Sequence, residues 1–242
     1  MVTPTKSSSA THPPLQTLSP QTRPSTPVRL RIDTSKEPKH LGRGAFGSVV
    51  AYDNISTGKK PSIAVKIPHY TRDNNSILGE FVIRKTIQKL LNIPVNQKHL
   101  NPQLPIVLAW DCTLSTKTFT TNTSPPYPKC IMTMPELEGS ILDLNINLKN
   151  VANFTHFTNT TKKLAALGVI LRDLRDANIF LDAQNNAYIG DMGVFRFKEN
   201  TPAFYASQKI IHKKQRLIQQ HNGITQEAIQ NMITLGKTED VF

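Results

Sequence analysis

Apolar and polar positions along this chain follow two rhythms, and each rhythm predicts an element. Ser48–Asn54 and Ser62–Ile67 (S-I-A-V-K-I) read as strands, joined by a turn at Ser56–Lys60. Asn75–Leu91 sets Ile77, Phe81, Ile87 and Leu91 on one helical face, and Glu80 lies on it. Leu104–Leu114 and Cys130–Met134 read as antiparallel strands joined by a long loop rich in Thr, Ser and Pro. Pro135 then removes a donor and ends that sheet. Ser140–Leu148 reads as the start of a helix, and Phe154–Leu167 as a helix stopped by Gly168. Short apolar runs at Ile179–Leu181 and Tyr188–Ile189 predict a hairpin whose polar ends share one edge. Asp173, Asn178 and Asp191 come to that edge with Arg175 beside them, a set that suits a hard divalent cation and a phosphate.

Composition narrows the partners without choosing among them. The 242 residues can hold one or two domains, and the formal charge of +12 attracts anions: nucleic acid, nucleotide phosphates, acidic proteins or a membrane surface. No run approaches the length of a transmembrane helix, and the N-terminus lacks the pattern of a signal peptide, so the expected setting is intracellular, cytoplasmic or nuclear. Cys112 and Cys130 have no metal-ligand spacing; they are expected to stay reduced and to pack across their hairpin. Residues 1–36 are dominated by Ser, Thr and Pro and read as a disordered tail.

Two local features carry more chemistry. His40–Val50 (H-L-G-R-G-A-F-G-S-V-V) has glycines at 42, 44 and 47 between strands rather than before a helix, which argues for a flap whose N–H groups close over phosphates. Lys66 sits inside an apolar strand, either as a snorkelling edge lysine or as a buried cation facing phosphate. The second reading requires a carboxylate, and Glu80 is favoured for it over a surface Glu80–Arg84 pair.

In this order the pieces resemble the eukaryotic-type protein kinase domain, from about His40 to Gln208. The resemblance implies an α+β, bilobal protein-kinase-like fold. Its antiparallel β N-lobe and hinge would take residues 37–137, and a shortened, mainly helical C-lobe residues 138–242. It implies ATP bound by Leu41, Gly42, Gly44, Gly47, Val49, Ala64 and Lys66, with Glu80 pairing Lys66. Met134, Glu136 and Leu137 would form the gatekeeper and hinge, and Phe180 the floor beneath the adenine. Leu171-Arg172-Asp173 resembles the catalytic loop, with Asp173 as base and Arg175 stabilising the transferring phosphoryl; Asn178 and Asp191 would hold Mg²⁺. Thr201-Pro202-Ala203-Phe204-Tyr205-Ala206 resembles the serine/threonine-kinase segment whose threonine contacts the catalytic Asp and its basic neighbour. The phrases N-I-F-L and G-D-M-G are similar to herpesvirus serine/threonine kinases.

The departures are equally specific. Leu171 and Met192 stand where His and Phe are usual, Arg84 where an apolar residue is expected, and Ser207-Gln208 where Pro-Glu is usual. Lys237–Phe242 resembles the start of the large lobe's central helix, which implies a truncated lobe with Ile210–Met232 as a helix covering its exposed face. The leading expectation is a serine/threonine kinase acting on protein substrates. The alternative is a pseudokinase that binds nucleotide or a partner kinase. A basic nucleic-acid binder ranks last, having charge but no aromatic platform, and no membrane partner is expected.

Overall fold

Alternation decides the first layer. The computed structural model describes residues 37–53, 62–70, 73–95, 97, 99–115, 129–219 and 224–235. The tail at 1–36, the turn at Ser56–Lys60, the loop at 116–128 and Lys237–Phe242 lie outside the described residues. Strands β1 (Lys39–Arg43), β2 (Gly47–Tyr52), β3 (Ile63–Pro68), β4 (Asp111–Ser115) and β5 (Lys129–Pro135) form one antiparallel sheet in the order β1-β2-β3-β5-β4. On β3, Ile63, Val65 and Ile67 pack to one side with Val50, Tyr52 and Ile131. Ala64 joins the larger core on the other side, and Lys66 is in step with it. Helix α1 (Asn74–Leu90) lies on that second side and buries Ile77, Leu78, Phe81, Ile83 and Ile87.

The rest of the chain builds on the same core. After β6 (Gly139–Ser140) come α2 (Phe154–Ala166), β7 (Val169–Ile170), and the hairpin of β8 (Ile179–Leu181) and β9 (Ala187–Ile189). β6, β8 and β9 form a three-stranded sheet, while β10 (Arg196–Phe197) pairs β7. Helices α3 (Pro202–Lys213), α4 (Gln215–Gln219) and α5 (Gln226–Ile233) complete the described chain. The architecture is mixed α and β, an antiparallel sheet with five α-helices among the described residues. No helix among them is long and apolar enough to cross a membrane.

Three expectations change. Leu104–Leu114 becomes a strand only from Asp111; before it, Ile106 makes a lone parallel bridge to Ile189, so this stretch ties the large sheet to the hairpin. Ser140–Leu148 turns rather than coils. Ser140 Oγ accepts from the Asp143 N–H at 3.1 Å, and Asn145 takes a φ of 52°. Short polar side chains that bond their own backbone compete with a helix. Ile210–Met232 is not one helix, because α3 begins earlier, at Pro202, and α5 restarts at its Thr225 cap. Its task of covering is kept, but the covered surface is α1: a Cβ on Gly79 would lie 1.8 Å from Met232 Cε.

The predicted stop of α2 holds. Gly168 takes a φ of +88°, and a Cβ there would meet the Thr201 side chain at 2.3–2.6 Å. Gly168→Ala is expected to cost about 1–3 kcal/mol in urea denaturation, from the left-handed backbone alone. Gly42→Ala, with nothing within 4 Å, is expected to stay within about 0.5 kcal/mol of wild type.

Candidate functional site

Lys66 lies opposite Val49 in the β2–β3 register and points toward α1, where Glu80 is 1% exposed. Lys66 Nζ donates to Glu80 Oε2 at 2.6 Å and lies 3.4 Å from Asp191 Oδ1. Burial pushes the ammonium pKa down, but Glu80 and Asp191 outweigh it, so the net shift is upward.

The other Glu80 oxygen, Oε1, accepts from Arg84 Nε at 2.9 Å and also from Nη2. Arg84 directs its remaining reach to the Val107 and Gly190 carbonyls. The two partners weighed for Glu80 are therefore simultaneous, because a carboxylate offers two oxygens. The Glu80–Arg84 pair is buried rather than on the surface, Arg84 being 2% exposed. Arg84 stands where the resemblance expects an apolar residue, but its spacing four residues from Glu80, the only acid on α1, signals a different role.

The hairpin gathers the oxygen donors as expected. Ile179 pairs with Ile189, and Gly190 N donates to Asn178 O at 3.0 Å, so Asn178 and Asp191 flank one end. Asn178 Nδ2 donates to both the backbone oxygen and Oδ2 of Asp173, each at 2.9 Å. Arg175 Nε lies 2.9 Å from Asp173 Oδ1. Asp173 has a φ of 59°, a left-handed conformation that costs a residue with a side chain roughly 1–3 kcal/mol, held by these bonds. Asp191 Oδ1 also accepts from Gly193 N at 3.1 Å. Burial pushes the Asp191 pKa up, but Lys66, that N–H and Arg84 outweigh it, and the carboxyl lies below its ordinary 3.8.

The remaining predicted residues divide. Leu41, Val49 and Leu137 stay half-buried against the core that holds Ala64 and Met134. Glu136 pairs with Lys39 of β1 at 3.2 Å. Phe180 is on β8 with its ring over Gly190, and it is not among the side chains packed on that core. Gly44 N closes a turn on Gly47 O at 2.9 Å. Of the three glycines only Gly47 is demanded by the fold, since a Cβ would lie 2.4 Å from Ile67 O; Gly42 faces open space, and a Cβ on Gly44 would make only ordinary contact with Gly47 O at 3.8 Å. Thr201 does not meet Asp173: its hydroxyl donates to Lys198 O at 2.5 Å and accepts from Phe204 N as the cap of α3.

The side chains thus form two linked sets, Arg84–Glu80–Lys66–Asp191 from the interior outward and Asn178–Asp173–Arg175 at the surface, and the backbone bond from Gly190 N to Asn178 O brings them side by side. Among the described residues no group of three or more His, Cys, Asp or Glu forms a metal cage. One carboxylate and one amide oxygen suit a hard cation that keeps water and ligand oxygens around it, as Mg²⁺ does. Compared with known proteins, the chain matches no family model and no curated protein sequence.

Arg84→Met is expected to cost about 3–5 kcal/mol in urea denaturation, since it leaves the buried Glu80 with one cation fewer. A loss under about 1 kcal/mol would show that the guanidinium holds little together. Folding lowers the Asp191 pKa, so the stability it contributes is present above the unfolded carboxyl value and disappears as pH falls through the folded one. Thermal midpoints should therefore drop more steeply on acidification in wild type than in Asp191→Asn; parallel curves would refute the coupling.

Proposed function

We propose that the chain is an ATP- and Mg²⁺-dependent protein kinase domain that phosphorylates Ser and Thr hydroxyls of proteins. One observation carries this reading. Lys66 bridges Glu80, 14 residues away in sequence, and Asp191, 125 residues away, so the motif residues meet as their roles require. The antiparallel sheet with α1 beside it supports an N-lobe and hinge at 37–137, and the helical remainder a partial C-lobe from 138.

The chain's own groups then have definite tasks. Lys66, its charge fixed by Glu80, donates to phosphate oxygens, and the N–H groups around Gly42 and Gly44 approach them from above. Leu41, Val49, Ala64, Met134 and Leu137 supply apolar surface for the base. Asp173 Oδ2 takes the proton of the incoming hydroxyl. Arg175 is largely exposed and turns from Asp173 to the phosphoryl group, where positioned cations stabilise developing charge. Bound Mg²⁺ would supply charge neutralisation at the phosphates, held by Asp191 and Asn178.

A second reading, a nucleotide- or partner-binding pseudokinase, is favoured by one observation: the Thr201 hydroxyl is committed to Lys198 and Phe204 instead of the Asp173 carboxylate. Transfer of radiolabelled phosphate from ATP to a generic protein separates the two. Asp173→Asn is expected to lower the rate by roughly 10²–10⁴-fold. Equal background in wild type and variant would sink the enzyme reading. Thermal stabilisation by ATP that Lys66→Ala abolishes would then leave the binding reading standing.

A further inference from the structure

The proposed activity makes no use of the two cysteines, which β4 and β5 bring together. Cys112 faces Met132 across the ladder and Leu114 faces Cys130, so the two thiols are diagonal neighbours on one face of the sheet. Both are buried and neither is in a disulfide, and their Sγ atoms lie 2.8 Å apart. That is within about an ångström of a disulfide bond, for which S–S is about 2.05 Å. The strand that must adjust is β4, the edge of the sheet, held by a neighbour on one side only. The pair is also joined to α1, because Cys130 N donates to Asn74 Oδ1 in the first turn of that helix at 2.8 Å.

We propose that Cys112 and Cys130 are a redox modification site that closes to an intramolecular disulfide when a low-molecular-weight disulfide acts as oxidant. One thiol loses its proton and attacks a sulfur of the oxidant; the oxidant's S–S bond breaks and one thiolate leaves. The second cysteine loses its proton and attacks the protein sulfur of that mixed disulfide, forming the Cys112–Cys130 bond and expelling the second thiolate. Two electrons and two protons pass to the oxidant, which ends as two thiols. Closure is slow near neutral pH and faster in alkali, because the hydrogen bond to Cys130 and burial hold the Cys112 thiol well above its ordinary pKa. In a reducing cytosol the pair rests as the dithiol, as its packing predicts.

The test treats the full chain with oxidised dithiothreitol or glutathione disulfide across a pH series, then quenches with an alkylating agent and measures intact mass. The expected result is loss of the mass of two hydrogen atoms. Peptides containing Cys112 and Cys130 should be linked, and the thermal midpoint should rise by several degrees, reversibly with reductant. Cys112→Ser should abolish the mass loss while keeping the reduced protein's circular dichroism. The wild-type mapping decides the matter even if that variant fails to fold. Persistent alkylation of both thiols, a mixed disulfide that never resolves, a cross-link between two chains, or a lowered midpoint on closure would each overturn the assignment.

Discussion

The structure depends on one buried carboxylate. Glu80 is sealed from water and accepts from Lys66 on one oxygen and from Arg84 on the other. Taking an ion out of water costs several kcal/mol, and attraction offsets that cost only where the geometry is good and other hydrogen bonds complete the set. Here Asp191 supplies the second negative charge, so two carboxylates face two cations and the cluster is formally neutral. The excess charge of +12 therefore resides elsewhere, where water and salt screen it.

Placing those charges fixes the neighbouring elements. The i,i+4 spacing turns Glu80 and Arg84 inward on one face of α1, so that face cannot be wholly apolar. Arg84 reaches the Val107 carbonyl beside the large sheet and the Gly190 carbonyl at the hairpin, joining three segments with one planar group. The outer face of α1 is closed separately. Phe81 is fully buried there, with the ammonium groups of Lys85 and Lys214 at 5.6 and 5.3 Å from its ring centre. Burial and the nearby Lys214 push Lys85 down to about 8, although Asp111 opposes them. Packing of α3 and α5 over this side leaves α1 little freedom to swing Glu80 away from Lys66.

What could be read in the sequence, and what could not, follows from the range of each interaction. The Lys66 strand, the Glu80 helix and the hairpin carrying Asn178 and Asp191 were legible because period and spacing are local properties. The Glu80–Lys66 pairing was legible too, since α1 offers no other acid. Arg84 was legible only in part: its spacing from Glu80 is local, but its other partners, Val107 and Gly190, are backbone carbonyls, which leave no trace in side-chain pattern. Ser140–Leu148 was misread because its apolar residues have helical spacing, whereas the Ser140 and Asp143 side chains bond locally. Thr201 was assigned to a contact with Asp173, but its hydroxyl has one proton, and the turn before α3 takes it.

Exposure rises from the buried cluster to the surface pair, and the difference has mechanical meaning. The side chains of Glu80, Lys66, Asp191 and Arg175 are 1%, 12%, 46% and 68% exposed. The buried end is fixed by charges that cannot separate without a large desolvation cost, so it acts as a rigid reference for the rest. The open end is held by hydrogen bonds from Asn178 and an exposed ion pair, and such an exposed pair contributes roughly 0–1 kcal/mol. Asp173 is the joint between these regimes. Its left-handed backbone is held by Asn178, which the hairpin ties to Gly190 beside Asp191. One end is therefore fixed by burial, while the other keeps a surface cation that is only weakly tied to its carboxylate. In this chain the rigid end is set by Glu80 and Arg84 in the core, and it reaches the open side through Lys66 and Asp191.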